Sequence, residues 1–279
     1  KLMANKVDSV VAIDPKTGGI LAMVSAPSYD PNLLKGNERS RNFAKMSLDA
    51  TKPLFNRAIK GEYQPGSTLK PMTALVALDT GVITPSFGFP CGGGYYNCGR
   101  RIGCTHSGGG HAANLRLALA NSCNAYFVHI LRLLVDAKKY GNVKAGVQRW
   151  HDYYYDFGFG HPTGVDLPYE KGGLLPDSNT YNDMYRSNWN SCNMLFVGMG
   201  QGEVALTPIQ MANSLCIIAN KGYYYTPHLV KSIGGNKNDT LLAKYRVRHK
   251  VTNIPDTVYN IVGLGMQDVV EHGTGRVAM

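Results

Sequence analysis

The chain has 279 residues, of which 44% are hydrophobic and 17% charged, with a formal net charge of +10. This composition is typical of a globular protein and excludes an intrinsically disordered one. The Lys and Arg residues are spread along the chain rather than grouped with aromatic residues, so we expect no nucleic-acid binding. No apolar run is long enough to cross a bilayer, and the sequence that starts at Lys1 does not have the pattern of a signal peptide. We therefore expect any membrane anchor to lie upstream of Lys1.

The N-terminal third contains a hairpin pattern followed by a helical pattern. Apolar and β-branched runs at residues 7–13 and 20–26 flank Asp14–Gly19, whose Pro and Gly predict a turn between two strands. Residues 27–66 are polar and predicted to be irregular. A helix is predicted from Ser67 to about Asp79, because the apolar spacing is helical and Gly81 provides a stop.

The remainder alternates between loops and helices. Residues 85–113 are glycine-rich and predicted to be a loop. Apolar spacing and terminal Pro or Gly residues predict helices at 114–120, 124–135, 143–155, 208–220 and 255–271. No linker or internal repeat divides the chain, so we expect a single α+β domain.

Ser67 and Lys70 form the first pair of residues with a chemical signature. A serine hydroxyl is a weak nucleophile unless a base removes its proton. Because the two residues are three positions apart in the chain, a helix would put both side chains on the same face, one turn apart. Burial among apolar neighbours would lower the pKa of the lysine and make its amine a base. Taken alone, the pair is better explained by a helix-capping serine and an unrelated surface lysine, because Ser-x-x-Lys is common by chance.

Ser122 and Asn124 form the second pair, at the junction of two predicted helices. The hydroxyl could relay a proton, and the amide could hold a substrate backbone group. A simple helix cap at a turn would need the same residues. The order and spacing of the two pairs favour the catalytic interpretation.

The residues around these pairs resemble class B penicillin-binding proteins. YQPGSTLKP at 63–71 is similar to the first active-site motif of that family, and Ser122-Cys123-Asn124 to the second. Collinear similarity to the elongation-specific subfamily, penicillin-binding protein 2, covers nearly the whole chain and includes DPKTGGILAMVS at 14–25, NRA at 56–58, GFG at 158–160 and GMGQG at 198–202. The resemblance implies a serine β-lactamase/transpeptidase-like fold, in which helices flank an antiparallel sheet beside an all-α subdomain.

The function implied by the resemblance is peptidoglycan D,D-transpeptidation through a serine acyl-enzyme. Ser67 would be the nucleophile, Lys70 its base, Ser122 the proton relay and Asn124 a substrate-binding residue. The implied ligands are a peptidoglycan stem peptide or its lipid-linked precursor, and β-lactam antibiotics. The implied protein partners are a RodA-type glycosyltransferase and scaffold proteins of the elongation complex, at the periplasmic face of the inner membrane.

Two other functions remain open at this point. A serine D,D-carboxypeptidase or β-lactamase would use the same residues on water, although we recognise no deacylating Glu. A non-catalytic domain could sense β-lactams or act as a scaffold. The third motif of the family, Lys-Thr/Ser-Gly, is expected after the last helix, whereas Lys16-Thr17-Gly18 precedes Ser67. The sequence HGTGR at 272–276 resembles the segment just upstream of that motif, so we expect the transpeptidase domain, residues 1–279, to stop before the motif's strand.

The cysteines suggest a metal site. Cys91, Cys104, His111 and Cys123 would make a Cys₃His zinc set, and some relatives of the elongation type carry zinc here with a ligand at the middle of the Ser-x-Asn motif. We therefore predict a structural zinc in the loop 85–113, with Cys98 and His106 as substitute ligands. Disulfides, such as one between Cys91 and Cys104, are the alternative. Cys192 and Cys216 are predicted to be small buried apolar residues.

Overall fold

Helices dominate the computed structural model, which describes residue 3 and residues 5–106, 108–251 and 253–278. The α-helices in chain order are α1 Arg39–Leu48, α2 Arg57–Lys60, α3 Lys70–Asp79, α4 Leu115–Ala120, α5 Asn124–Val135, α6 Val143–Asp156, α7 Ser178–Tyr185, α8 Pro208–Ala219 and α9 Asp256–Glu271. Turns of 3₁₀ helix include Gly66–Leu69, Ser191–Met199 and Thr240–Arg246. Within these described ranges, no helix combines the length and hydrophobicity needed to span a membrane.

The strands pair as antiparallel hairpins or ribbons. Strands β1 Asp8–Ile13 and β2 Ile20–Ala26 pair from Asp8 opposite Ala26 to Ile13 opposite Ile20. The second and third pairs are β3 Gly94–Asn97 with β4 Arg100–Gly103, and β5 Tyr223–Tyr225 with β6 Arg248–Lys250. Together with the helices they confirm the predicted α+β class.

Helices α3 and α5 lie at the centre of the main core. Residues Lys70–Ala77 of α3 are all buried, and eight of the twelve residues of α5 are buried as well. A helix that is apolar on nearly all sides is stable only when other elements surround it. Here α3 packs against α5, α6 and α9, and α5 packs against the 3₁₀ segment Ser191–Met199. The core thereby fixes the N-terminal ends of both α3 and α5.

Two segments that were predicted to be irregular contain regular structure. The prediction for residues 27–66 was wrong over α1 and α2; α1 buries only Met46, so its apolar pattern is weak. The prediction of a plain loop at 85–113 was wrong over the β3–β4 hairpin. Its two-residue turn, Cys98-Gly99, has φ values of +63° and +64°. Positive φ at both positions is the type I′ geometry that matches the twist of paired strands.

Candidate active site

Ser67, Lys70 and Ser122 line a single cavity of about 560 Å³. Its other walls are mostly apolar and come from β1, α4, α8 and α9, through side chains such as Val11, Leu119, Met211 and Met266. Lys16-Thr17-Gly18 lies in the turn between β1 and β2, and Lys16 is exposed and does not line this cavity. The structure thus brings the Ser67–Lys70 pair and the Ser122 region together.

Ser67 lies in the 3₁₀ turn Gly66–Leu69, immediately before α3, rather than inside the α-helix. Its side chain is exposed, at the end of α3 where the helix dipole is positive and favours developing negative charge. The backbone N–H of Gly66 donates to the carbonyl of Gly200 at 2.7 Å. A Cβ on Gly200 would lie 1.9 Å from the Gly66 oxygen, so only glycine permits this contact. The approach of Gly200 fixes the turn that presents Ser67.

The amine of Lys70 is buried at the junction of the two motifs. The lysine is only 2% exposed. Its Nζ donates to the Oγ of Ser122 at 2.9 Å, to the backbone oxygen of Ser122 at 2.7 Å and to the Oδ1 of Asn124 at 2.7 Å. These acceptors hold the amine within proton-transfer distance of the Ser122 hydroxyl.

Burial has a direct effect on the acid–base behaviour of Lys70. Removal of the ammonium from water lowers the pKa of Lys70 from its ordinary value of 10.5 to about 8, while the neighbouring thiols of Cys123 and Cys104 oppose the shift. A pKa near the working pH gives a substantial fraction of neutral amine, which can accept a proton.

The Ser122–Asn124 turn has an unusual backbone. Ser122 has φ of +49°, in the left-handed region that non-glycine residues seldom adopt. Asn124 begins α5, and its Nδ2 donates to the carbonyl of Gly103, at the end of β4, at 3.0 Å. This bond orients the amide so that its oxygen faces Lys70. The β3–β4 hairpin is therefore part of the support of the site.

Sequence reasoning missed two contributors to this arrangement. The Gly103 carbonyl is a backbone group, and no side-chain pattern reveals it. The ring of Phe127 lies 5.6 Å from the Nζ of Lys70, close enough for a cation–π contact. Phe127 follows Asn124 by three residues, so helical periodicity on α5 could have placed it on the same face.

A second cluster lies next to the Ser122–Asn124 turn. The ligand atoms of Cys91, Cys104, His111 and Cys123 all lie within 4.8 Å of one another. The Sγ of Cys104 is 3.8 Å from the Sγ of Cys123 and 3.9 Å from the Nε2 of His111. Tetrahedral zinc with bonds of about 2.3 Å to sulfur requires sulfur atoms roughly 3.8 Å apart. The residues present fit a zinc ion.

The protonation of His111 and Cys104 suits a metal, whereas the burial of Cys123 opposes its ionisation. The Nδ1 of His111 donates to the Gly108 carbonyl at 2.6 Å, which leaves Nε2 facing the thiols. Burial opposes ionisation of Cys104, but backbone hydrogen bonds from His106 and Asn124 outweigh it and lower its pKa. Burial raises the pKa of Cys123. Ser107, inside this predicted zinc loop, lies outside the described residues.

The remaining cysteines differ from the sequence prediction in one respect. Cys98, a substitute ligand in that prediction, forms a disulfide with Cys192. The prediction that Cys192 is a plain buried residue was therefore wrong; the partners are 94 residues apart, and sequence alone does not give such pairings. Cys216 is buried and free, as predicted, and Cys91 and Cys104 are free thiols. His106 lies outside the four-residue cluster, with its ring 4.9 Å from that of His111.

Comparison with known proteins identifies the family. Residues 9–279 match the penicillin binding protein transpeptidase domain. The chain belongs to this transpeptidase family. The peptidoglycan D,D-transpeptidase MrdA of Acinetobacter baumannii is 32% identical over 98% of the chain, and MrdA of Escherichia coli K12 is 35% identical over 83%. The chain spans 39% and 35% of the lengths of these two curated relatives.

Solved structures of penicillin-binding transpeptidases confirm the fold. The chain superposes on penicillin-binding protein 2 of Pseudomonas aeruginosa in complex with WCK 5153 with a TM-score of 0.84 and 32% identity, over 99% of this chain and 60% of that one. A chain of a peptidoglycan synthase complex that coordinates polymerization and crosslinking gives a TM-score of 0.79 and 31% identity, over 96% of this chain and 43% of that one. The serine β-lactamase/transpeptidase-like fold predicted from the sequence is confirmed.

Proposed function

We propose that this chain is the catalytic domain of a peptidoglycan D,D-transpeptidase that works through an acyl-enzyme on Ser67. The observation that carries the proposal is that the Ser67–Lys70 motif and the Ser122–Asn124 motif lie next to each other. Lys70 follows Ser67 on the wall of one cavity, and its amine bonds both Ser122 and Asn124. Membership of the transpeptidase family and the MrdA relatives support the same reaction.

In the acylation step, the Oγ of Ser67 attacks the carbonyl carbon of the D-Ala-D-Ala amide in a stem peptide. Neutral Lys70 takes the hydroxyl proton as the bond forms. Ser122, bonded to the same amine at 2.9 Å, passes a proton to the nitrogen of the departing D-Ala. The C–N bond breaks and the peptide remains as an ester on Ser67. Asn124 holds Lys70 in place and binds the substrate backbone.

In the second step, an amine from a neighbouring stem peptide attacks the ester. Its proton leaves through the same Ser122–Lys70 pair, and the hydroxyl of Ser67 is restored. A β-lactam would acylate Ser67 because its strained amide mimics the D-Ala-D-Ala bond.

The partners and location follow from the substrate. A stem peptide or its lipid-linked precursor is available on the periplasmic face of the inner membrane, where we place the enzyme. The similarity to a chain of a peptidoglycan synthase complex supports association with a RodA-type glycosyltransferase and with elongation-complex scaffold proteins.

We also propose one structural zinc bound by Cys91, Cys104, His111 and Cys123. Bound zinc would supply a tetrahedral cross-link with no catalytic role. Cys123 lies between Ser122 and Asn124, so this link would stabilise the turn that holds both side chains. The geometry of the four ligand atoms supports the proposal. Elemental analysis of the purified protein should find close to one zinc per chain.

Benzylpenicillin tests the nucleophile and its base. Intact mass measurement should show one penicilloyl adduct, which Ser67→Ala abolishes. Lys70→Ala should slow acylation by roughly two to four orders of magnitude, the usual contribution of a positioned base. An adduct that maps to Ser122 would contradict the assignment.

The lifetime of the adduct separates the transpeptidase from the alternatives. An acyl-enzyme that persists for minutes to hours, together with cross-linking of stem peptides, supports transpeptidation. Rapid turnover would indicate a β-lactamase or carboxypeptidase. Failure of the native protein to acylate at all would favour a scaffold.

A further inference from the structure

A second cavity, of about 290 Å³, lies at the turn between β1 and β2. Lys16 and Thr17 of that turn form one wall. The segment that contains β5 and the 3₁₀ turn Thr240–Arg246 forms the rest of it. Among the residues that the structure describes, four cationic side chains and no carboxylate line the cavity; the cations are Lys16, Lys231, Lys237 and Arg246. The lining is completed by His228, Tyr225, Tyr245, Val230 and Leu242.

The surrounding sequence concentrates positive charge. Residues 225–250 contain six Lys and Arg residues against a single acidic residue, Asp239. The difference of five charges is half of the net +10 of the whole chain. This segment is therefore strongly positive, and a concave surface concentrates the resulting field.

The cations of the cavity have no acidic partner within the described part of the protein. None of the four takes part in an ion pair among the described residues. The nearby carboxylates are bound by backbone N–H groups: Asp166 accepts from Leu229 and Val230, and Asp239 accepts from Leu241. Asp14 accepts from the backbone of Lys16 and the hydroxyl of Thr17. These carboxylates support the loops rather than pair with the cations.

The walls of the cavity are ordered by contacts within the protein. The Nη1 of Arg246 donates to the carbonyl of Lys237 at 2.9 Å, which ties two of the cationic residues together. Tyr245 is 5% exposed, and its ring lies 4.9 Å from that of His228. His228 is itself bonded through its backbone to Gly18 and Ile20 of the hairpin. A guanidinium carries five N–H donors, so the bonds of Arg246 do not exhaust its capacity.

We propose that this cavity binds a phosphate-bearing anion. Four cations around one small concavity repel one another, and a ligand with a charge near −2 relieves this repulsion better than a single carboxylate does. Phosphate also offers several strong acceptor oxygens to Lys and Arg donors. The cavity shares no lining residue with the one that contains Ser67, so the proposal is independent of the acyl-transfer reaction.

Titration calorimetry with pyrophosphate, at about 0.15 M salt to screen diffuse attraction, tests the site. Saturable binding at one site per chain is expected. The double variant Lys231→Gln/Lys237→Gln should weaken it by about tenfold or more, because both changes remove charge-assisted hydrogen bonds. The control Lys45→Gln/Lys171→Gln removes two exposed lysines outside the cavity and should change affinity less than about threefold. No saturable binding at millimolar concentration, or equal losses in both variants, would overturn the proposal.

Separate binding experiments distinguish the possible sources of the phosphate. Inorganic phosphate and pyrophosphate represent soluble ligands; vesicles of phosphatidylglycerol, compared with vesicles of phosphatidylcholine, represent anionic lipid headgroups. Binding to either source that the Lys231→Gln/Lys237→Gln variant loses supports the site and identifies its class. Penicillin acylation of Ser67 should be unchanged in this variant, which separates failure of this proposal from failure of the proposed enzyme.

Discussion

The Nζ of Lys70 lies 2.7 Å from the Oδ1 of Asn124, although 54 residues separate them in the chain. This bond joins the start of α3 to the start of α5, and the amide of Asn124 is oriented from its other side by the carbonyl of Gly103. Lys70, Ser122 and the hairpin next to the cysteine cluster are therefore mechanically connected. Changes at the cluster or at either helix start should alter the rate of acylation.

The pH dependence of acylation should follow Lys70. Burial lowers its pKa to about 8, and only the neutral amine can take the proton of Ser67. The acylation rate should therefore fall about tenfold per pH unit below that value and level off above it. Stopped-flow measurement with a chromogenic β-lactam from pH 6 to about 9.5 gives the profile. A rate that is flat or falls with increasing pH, in protein whose circular dichroism is constant, would contradict the role of Lys70 as base.

Cys123→Ser should release the proposed zinc, lower the melting temperature and slow acylation of Ser67. The binding energy of a structural metal contributes to folding energy, and the ligand lies between Ser122 and Asn124. Cys216→Ser is a matched control, because Cys216 is also a buried free cysteine but lies outside the cluster. It should retain the metal and the acylation rate. Protein purified without zinc and with Cys91 disulfide-bonded to Cys104 would show that the disulfide alternative is correct.

The disulfide between Cys98 and Cys192 should contribute about 2–4 kcal/mol to the free energy of unfolding, because it closes a long loop in the unfolded chain. It also holds the turn of the β3–β4 hairpin to the segment Ser191–Met199. Denaturant unfolding of Cys98→Ala/Cys192→Ala measures the loss. Treatment of the native protein with a phosphine reductant should lower its stability similarly and leave the double variant unaffected. Equal stability of both proteins would show that the bond contributes nothing.

Gly200→Ala should destabilise the protein by about 3 kcal/mol or more and slow acylation, because the new Cβ would lie 1.9 Å from the Gly66 oxygen. The displaced turn would carry Ser67 away from Lys70. Gly263→Ala in α9 is the control: a Cβ at this position would point into open space, and alanine favours helix by about 1 kcal/mol. Thermal unfolding and acylation rates of both variants test the contact. Unchanged acylation in Gly200→Ala would show that Ser67 does not depend on it.

Local sequence information was sufficient for much of the secondary structure. The β1–β2 hairpin and helices α5, α6, α8 and α9 match their predicted positions closely, because periodicity and terminal Pro or Gly residues act over a few residues. The β3–β4 hairpin was missed, since its turn uses Cys98 in a left-handed conformation that its residue type does not favour. Helix α1 was missed because Met46 is its only buried residue, so its apolar pattern is weak.

The sequence by itself determined which residues are candidates for the chemistry. Ser67, Lys70, Ser122 and Asn124 were chosen from spacing and resemblance, as were Cys91, Cys104, His111 and Cys123. Only the tertiary structure decided their environment: the 2% exposure of Lys70, the bond from Asn124 to Gly103, and the pairing of Cys98 with Cys192. Burial and the distances between residues far apart in the chain arise when helices pack, and a linear pattern contains neither quantity.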